Sequence, residues 1–248
     1  MAIRVGTSGY QYRHWRGVLY PPGVPVRAWL ARYTQFFDTV ELNATFYRLP
    51  TADAAERWRA GVPRGFVFAV KGSRYLTHLK RLRDAGEGLE RFFGPVRHLG
   101  PTLGPVLWQL PPQFAPDLER LDHFLSRLPP VRHAVEFRDP AWYAEETCAV
   151  LDRHGAAFCE HDRVERRPPR LTGAFRYVRF HGTTGHYHGR YGPAYLRAIA
   201  EELLDWARPG RDAFVYFNND LGGAAVHDAI DLLAALGEER PSLAAPAP

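Results

Sequence analysis

Two glutamates stand near the ends of short apolar runs, Glu41 in Thr39–Asn43 and Glu136 in His133–Arg138. A pair of carboxylates can share acid and base work, as in the hydrolysis of a glycosidic bond. The cations in the neighbouring runs argue for a different use. Lys71, Arg138 and Arg179 close runs of the same kind. A cation beside a carboxylate holds it ionised, which suits a base and removes the general acid that a glycosidase needs. The same three cations would neutralise an anionic ligand or hold the carboxylates in place. His181, at the end of Phe175–His181, is the proton-transfer candidate, because free imidazole titrates near neutrality. Glu41, Glu136 and His181 are thus the candidate catalytic groups. Asn43, Gln109 and Asn218 offer amides to orient a substrate, and Asp220 follows closely. Tyr10, Trp15, Phe46, Tyr47, Trp142 and Tyr187 offer rings for stacking on sugars or bases, or for packing loops.

Two Gly-rich stretches point to phosphate. His181-Gly182-Thr183-Thr184-Gly185 could present backbone N–H groups and hydroxyls, and Asn218-Asn219-Asp220 precedes Gly222-Gly223 and a helix start. Metal ligands are scarcer. His161, Asp162, His181, Glu41 and Glu136, with His186 and His188, could supply a divalent site, but Lys71, Arg138 and Arg179 would repel the ion. The expectation is no cofactor, with a divalent metal as the minority alternative.

These residues need elements to position them. Eight apolar runs recur: Ile3–Gly6, Thr39–Asn43, Phe66–Lys71, Pro105–Gln109, His133–Arg138, Ala157–His161, Phe175–His181 and Ala213–Asn218. Their spacing is roughly 30 residues, the size of a strand–helix unit. Eight units predict a single (β/α)8 TIM-like barrel, whose sites lie at the C-terminal strand ends. Alternation along each strand sends Val40, Phe68, Trp108, Val135, Phe180 and Phe217 toward helices. Glu41, Asn43, Lys71, Gln109, Glu136, Arg138, Arg179, His181 and Asn218 then face the axis, either as a ligand site or as an internal salt-bridge lattice.

Apolar spacings of three and four predict helices along Trp29–Phe37, Leu118–Leu128, Leu196–Trp206 and Val226–Leu236, with a shorter one over Glu145–His154. Arg163–Gly173 carries Pro168, Pro169 and Gly173 without helical period, so a Pro-rich loop is expected to replace the sixth helix. We expect one domain over 1–240 and a disordered tail over 241–248.

The chain has 248 residues and a formal charge of +5, which favours acidic partners, either an anionic small molecule or nucleic acid. No apolar run approaches the ~20 residues of a membrane span, so no membrane partner is expected. Only Cys148 and Cys159 are present, and the first strand begins at once, which predicts a cytoplasmic protein without a disulfide framework. The oligomeric state is not encoded in any of these patterns.

Several blocks carry a resemblance that spans the chain. They are GTSGY at Gly6–Tyr10, HWRGVLYP at His14–Pro21, VELNATFYRLP at Val40–Pro50, FAVKG at Phe68–Gly72 with Thr77 and His78, WQLPPQF at Trp108–Phe114, VEFRDPAW at Val135–Trp142, YVRFHG at Tyr177–Gly182 and YFNND at Tyr216–Asp220. Their order resembles the DUF72, or YecE-like, family. The resemblance implies a TIM-like barrel and brings no established reaction. The Arg-rich segment Arg163–Arg170 departs from it locally. The expected function is a barrel enzyme, of hydrolase type, with an anionic, phosphate-containing ligand or nucleic acid at its C-terminal face. The alternatives are a non-catalytic barrel that binds nucleic acid or protein, and a glycosidase-like hydrolase using Glu41 and Glu136.

Overall fold

The computed structural model describes residues 2–184, 187–207, 210–241 and 243. The apolar runs form strands β1 (Ile3–Thr7), β2 (Thr39–Leu42), β3 (Val67–Lys71), β4 (Leu103–Gln109), β5 (His133–Glu136), β6 (Ala157–Phe158), β7 (Glu160–His161), β8 (Phe175–Phe180) and β9 (Asp212–Phe217). The helices are α1 (Trp29–Tyr33), α2 (Ala52–Ala60), α3 (Gly86–Val96), α4 (Leu118–Ser126), α5 (Glu145–Arg153), α6 (Pro193–Ala207) and α7 (Ala224–Ala235). Among the described residues no helix is long and apolar enough to cross a membrane. Most of the tail expected over 241–248 lies outside the described residues.

The strands form two sheets, ordered β1-β9-β8-β7 and β2-β3-β4-β5-β6. The recorded registers of β1 with β9, β3 with β4, β4 with β5 and β5 with β6 are all parallel. A parallel bridge joins Ser8 to Glu41 just beyond β1. Strands and helices alternate along the chain, an α/β fold consistent with a TIM-like barrel.

Ala157–His161, expected as one strand, is divided at Cys159, and its two halves belong to different sheets. No helix follows it. Residues 162–174 form turns, bends and irregular backbone. This segment is fastened by side chains. Arg170 pairs with Glu145 and Asp152 of α5, and the Thr172 hydroxyl donates to the Ala156 carbonyl while accepting from the Phe158 N–H.

The chain resolves into two compact units. Unit 1 comprises Met1–Glu41, Gly61–Val67 and Arg179–Pro248. In it β1 runs beside β9, with Gly6 opposite Tyr216, and α7 packs on both strands and on α6. The Tyr33 hydroxyl stitches backbone together, accepting from the Thr7 N–H at 3.0 Å and donating to the Thr39 carbonyl at 3.0 Å. Gly6 must lack a side chain there, because a Cβ would overlap the Thr39 carbonyl.

Unit 2 comprises Leu42–Ala60 and Phe68–Val178. Its core is built around Trp108 of β4, whose ring meets Phe92 and Phe93 of α3 and Phe124 of α4 at centroid distances of 5.4, 6.2 and 5.0 Å. Truncating such a side chain to alanine costs about 3–5 kcal/mol. Gly72 leaves room for the indole, which a Cβ would strike. Helix α4 starts where Asp117 accepts the Arg120 N–H, and it buries Leu121, Phe124 and Leu125 at helical spacing.

Candidate functional site

In unit 1 the chemistry gathers where β1, β2 and β8 end. The Ser8 hydroxyl donates to Oε1 of Glu41. Nη2 of Arg179 lies 2.8 Å from the same oxygen and 3.3 Å from Ser8 Oγ, and Nη1 lies 3.3 Å from Nε2 of His181. All four side chains are buried. A guanidinium can only donate, so Nε2 of His181 accepts and the ring proton sits on Nδ1. The His181 imidazole, expected as a proton-transfer group, thus lies in direct contact with the Arg179 guanidinium.

Asn218 is buried just beyond β9, and its N–H donates to the Phe180 carbonyl at 2.7 Å. Tyr10 is buried with its ring 5.9 Å from that of Tyr33, and its hydroxyl accepts from Gln11. The Asp220 carbonyl accepts from the His14 imidazole and the Trp15 indole, at 2.8 and 3.1 Å. Burial raises the Asp220 carboxyl above its ordinary value, and His14 partly opposes this.

Several groups of the two stretches expected to cradle phosphate meet partners within the protein. The Gly182 N–H donates to the Tyr191 hydroxyl at 2.6 Å, and the Thr184 N–H to the His188 carbonyl at 3.4 Å. Gly185 and His186, needed for the rest of that loop and for the His-X-His pair, lie outside the described residues. Ahead of α7 the Asn219 amide donates to the Gly189 carbonyl and to Asp228, whose buried carboxylate also meets Arg190 and the Tyr191 N–H. Carboxylates at that turn oppose an anion. Among the described residues no three His, Cys, Asp or Glu side chains gather as a metal set.

Unit 2 holds the denser positive charge. Lys71 ends β3, and its carbonyl accepts from the Thr45 hydroxyl at 2.7 Å, which ties the segment after β2 to this strand. Its ammonium lies 4.4 Å from the Phe46 ring centroid. Asn43, in the same segment, has a buried Oδ1 without a hydrogen-bond partner among the described residues. Register places Gln109 of β4 beside Glu136 of β5. Glu136 is fully buried, paired with Nε of Arg138 and 3.9 Å from the Cys159 thiol. Both buried glutamates thus meet an arginine, Glu41 with Arg179 and Glu136 with Arg138.

His78 shows the local field best. Its Nδ1 lies 2.9 Å from the Thr77 hydroxyl, which donates to the Ser73 carbonyl, so Nδ1 carries the proton. Burial, then Lys71, Arg74, Arg138 and Arg81 in that order, push its pKa down to about 4. Four cations act on one imidazole. Trp142, expected near a ligand, is instead in the core. Its ring stacks on Phe137 at 4.7 Å and its N–H donates to the Phe114 carbonyl at 2.5 Å. Loop packing, the alternative use of such a ring, is its place.

Three members of these clusters escaped the sequence reading of the site. Ser8 follows β1 by one residue, and alternation from Gly6 would have turned it inward. His78 stands in a stretch crowded with arginine and lysine. Cys159 sits at a strand break that the apolar pattern does not mark.

The sequence model described as "Protein of unknown function DUF72" matches residues 4–248. The UPF0759 protein YunF of Bacillus subtilis is 28% identical over 91% of this chain and 93% of its own length. The UPF0759 protein YecE of Escherichia coli is 34% identical over 47% of this chain and 43% of its own. A crystal structure of a DUF72 family protein from Thermotoga maritima superposes with a TM-score of 0.86 and 29% identity, covering 96% of this chain and all of the other. A second, from Enterococcus faecalis, has a TM-score of 0.83 at 18% identity over 99% of both chains, a likeness of fold.

Proposed function

Because the chain belongs to the DUF72 family of proteins of unknown function, its activity has to be read from its own residues, and we propose that it binds an anionic, phosphate-containing ligand at the ends of β3 and β5 and hydrolyses a phosphoester there. The observation that carries this reading is the group of cations around His78. Lys71, Arg74, Arg81 and Arg138 all act on that imidazole. Arg138 also meets Glu136, so the net charge of the group is below four, and an anion would be attracted by what remains. Glu136, paired with Arg138, is suited to accepting a proton. Water would bond to phosphorus and give its proton to Glu136, while the bond from phosphorus to the ester oxygen breaks. The departing alkoxide would take its proton from solvent, and Glu136 would release the proton it accepted to solvent, which returns it to the carboxylate.

Two measurements test this. Inorganic phosphate at a hundred times its dissociation constant is expected to stabilise the protein by about 2.7 kcal/mol. Calorimetry in buffers of different ionisation enthalpy should show proton uptake on binding at mildly acidic pH, because the anion offsets the cations that, after burial, depress His78. The His78→Gln variant should bind without that uptake. Phosphomonoesters and diesters should be turned over by the parent and not by Glu136→Gln. Absence of any phosphate binding would sink the reading. Binding without turnover would remove its catalytic half.

A further inference from the structure

The surface leading away from this cluster has an unusual combination of charge and exposed rings. Residues 71–83 carry five lysines and arginines and no carboxylate, an excess equal to that of the whole chain. After β3 the backbone makes a π-helical turn over Tyr75–Leu79, anchored by buried Leu76 and Thr77. Arg74, Tyr75, Leu79, Arg81 and Arg83 are left exposed, and buried Leu82 anchors the far end. The Lys80 ammonium lies 5.9 Å from the Tyr75 ring centroid. Tyr47, 77% exposed, adjoins Phe46, whose ring contacts both the Lys71 ammonium and the edge of His78. Exposed rings are therefore interleaved with cations on one unit, and the phosphate site lies at the root of the strip.

Resting on the phosphate site proposed above, we infer that the strip from Arg74 to Arg83, with Tyr47, is a docking surface for single-stranded nucleic acid. Its phosphates meet Arg74, Lys80, Arg81 and Arg83, and its bases stack on Tyr47 and Tyr75. Charge complementarity requires a polyanion, and the rings select among polyanions. A duplex keeps its base faces stacked inside, whereas a single strand offers them to tyrosine. An anionic membrane would call for a broad apolar face, and Leu79 is the one large exposed aliphatic side chain of this strip.

The test is fluorescence anisotropy of the full chain with a labelled twelve-residue oligothymidylate and with a labelled duplex of the same length. The single strand should bind at least tenfold more tightly. With four phosphate contacts its affinity should fall about fiftyfold between 50 and 200 mM salt. Tyr47→Ala and Tyr75→Ala should each weaken it by about 5- to 150-fold. Both should retain the parent's melting temperature and its stabilisation by inorganic phosphate. Lys80→Ala should reduce the salt slope.

Phosphate binding with no oligonucleotide binding would overturn this inference and leave the phosphate site standing. Loss of both would overturn the two together. Equal affinity for single strand and duplex, or indifference to Tyr47→Ala and Tyr75→Ala, would also overturn it. So would sedimentation with phosphatidylserine vesicles in the absence of oligonucleotide binding.

Discussion

The Glu41–Arg179 pair gives the sharpest test of the physical argument. Both side chains are wholly excluded from solvent, with 2.8 Å between Nη2 and Oε1. Arg179→Met removes the guanidinium and keeps much of the stem's volume. It removes one donor from Glu41 Oε1, which Ser8 also contacts, and one from His181 Nε2. Removing one partner of a buried pair strands the other charge, at a cost of about 3–5 kcal/mol. For a chain of this size each kcal/mol lowers Tm by about 2–4 °C, so a fall of about 6–20 °C is expected. Glu41→Gln should also be costly, since it removes the carboxylate charge that the buried guanidinium meets at 2.8 Å. The double variant removes both charges and should lose at least about 2 kcal/mol less than the sum of the singles. Urea unfolding followed by far-ultraviolet circular dichroism and tryptophan fluorescence supplies the cycle, coincident curves establishing a two-state transition. An Arg179→Met cost below about 1 kcal/mol, or simple additivity, would refute the claim that these charges depend on one another.

Two further outcomes follow from other residues. His133 donates from Nε2 to the Pro129 carbonyl and accepts the Trp108 indole N–H at Nδ1, so it is held neutral, and burial pushes its pKa down to about 4. In the unfolded chain it takes a proton near 6.5, so stability should fall as pH drops from about 6.5 to 4, by up to about 3 kcal/mol, and this contribution should be constant outside that window. His133→Gln should reduce that slope, His78 contributing the remainder in the same window, and an unchanged slope in the variant would count against this assignment. Gly6→Ala should destabilise by about 1–3 kcal/mol or more in urea titrations, because the Thr39 carbonyl occupies the space of the new methyl. A neutral result would mean that β1 and the Thr39 backbone can separate at no cost.

Strands were the most legible part of this chain. Alternation in Val178-Arg179-Phe180-His181 sends Phe180 toward Tyr195 of α6 and Arg179 toward Glu41. Helices were legible where an apolar stripe existed, as in α4, and not otherwise. In α2 only Ala55 is buried, so no stripe is written into Ala52–Ala60. In α3 the buried Leu89, Phe92 and Val96 are interrupted by glycines and Pro95. The pairing of each glutamate with an arginine was foreshadowed by parity. The choice among Lys71, Arg138 and Arg179 was not, because it depends on long side chains reaching sideways. Strand periodicity also says nothing about which N–H groups a loop consumes internally, such as those of Gly182 and Thr184.

The missing sixth helix makes the 162–174 connection a natural place to open the chain. The 162–174 segment forms no helix or strand, and its fasteners include the Arg163 N–H to His161 Nδ1 near its start and Arg170 and Thr172 near its far end. A break between Arg163 and Arg167 interrupts no helix or strand. A protease that cuts after arginine would find its entry there. The same stretch could accept an inserted tag, or new termini in a circular permutant, while Arg170 and Thr172 still hold the downstream fragment against α5 and β6. The two pieces of a nicked protein should then stay together until denaturant separates them.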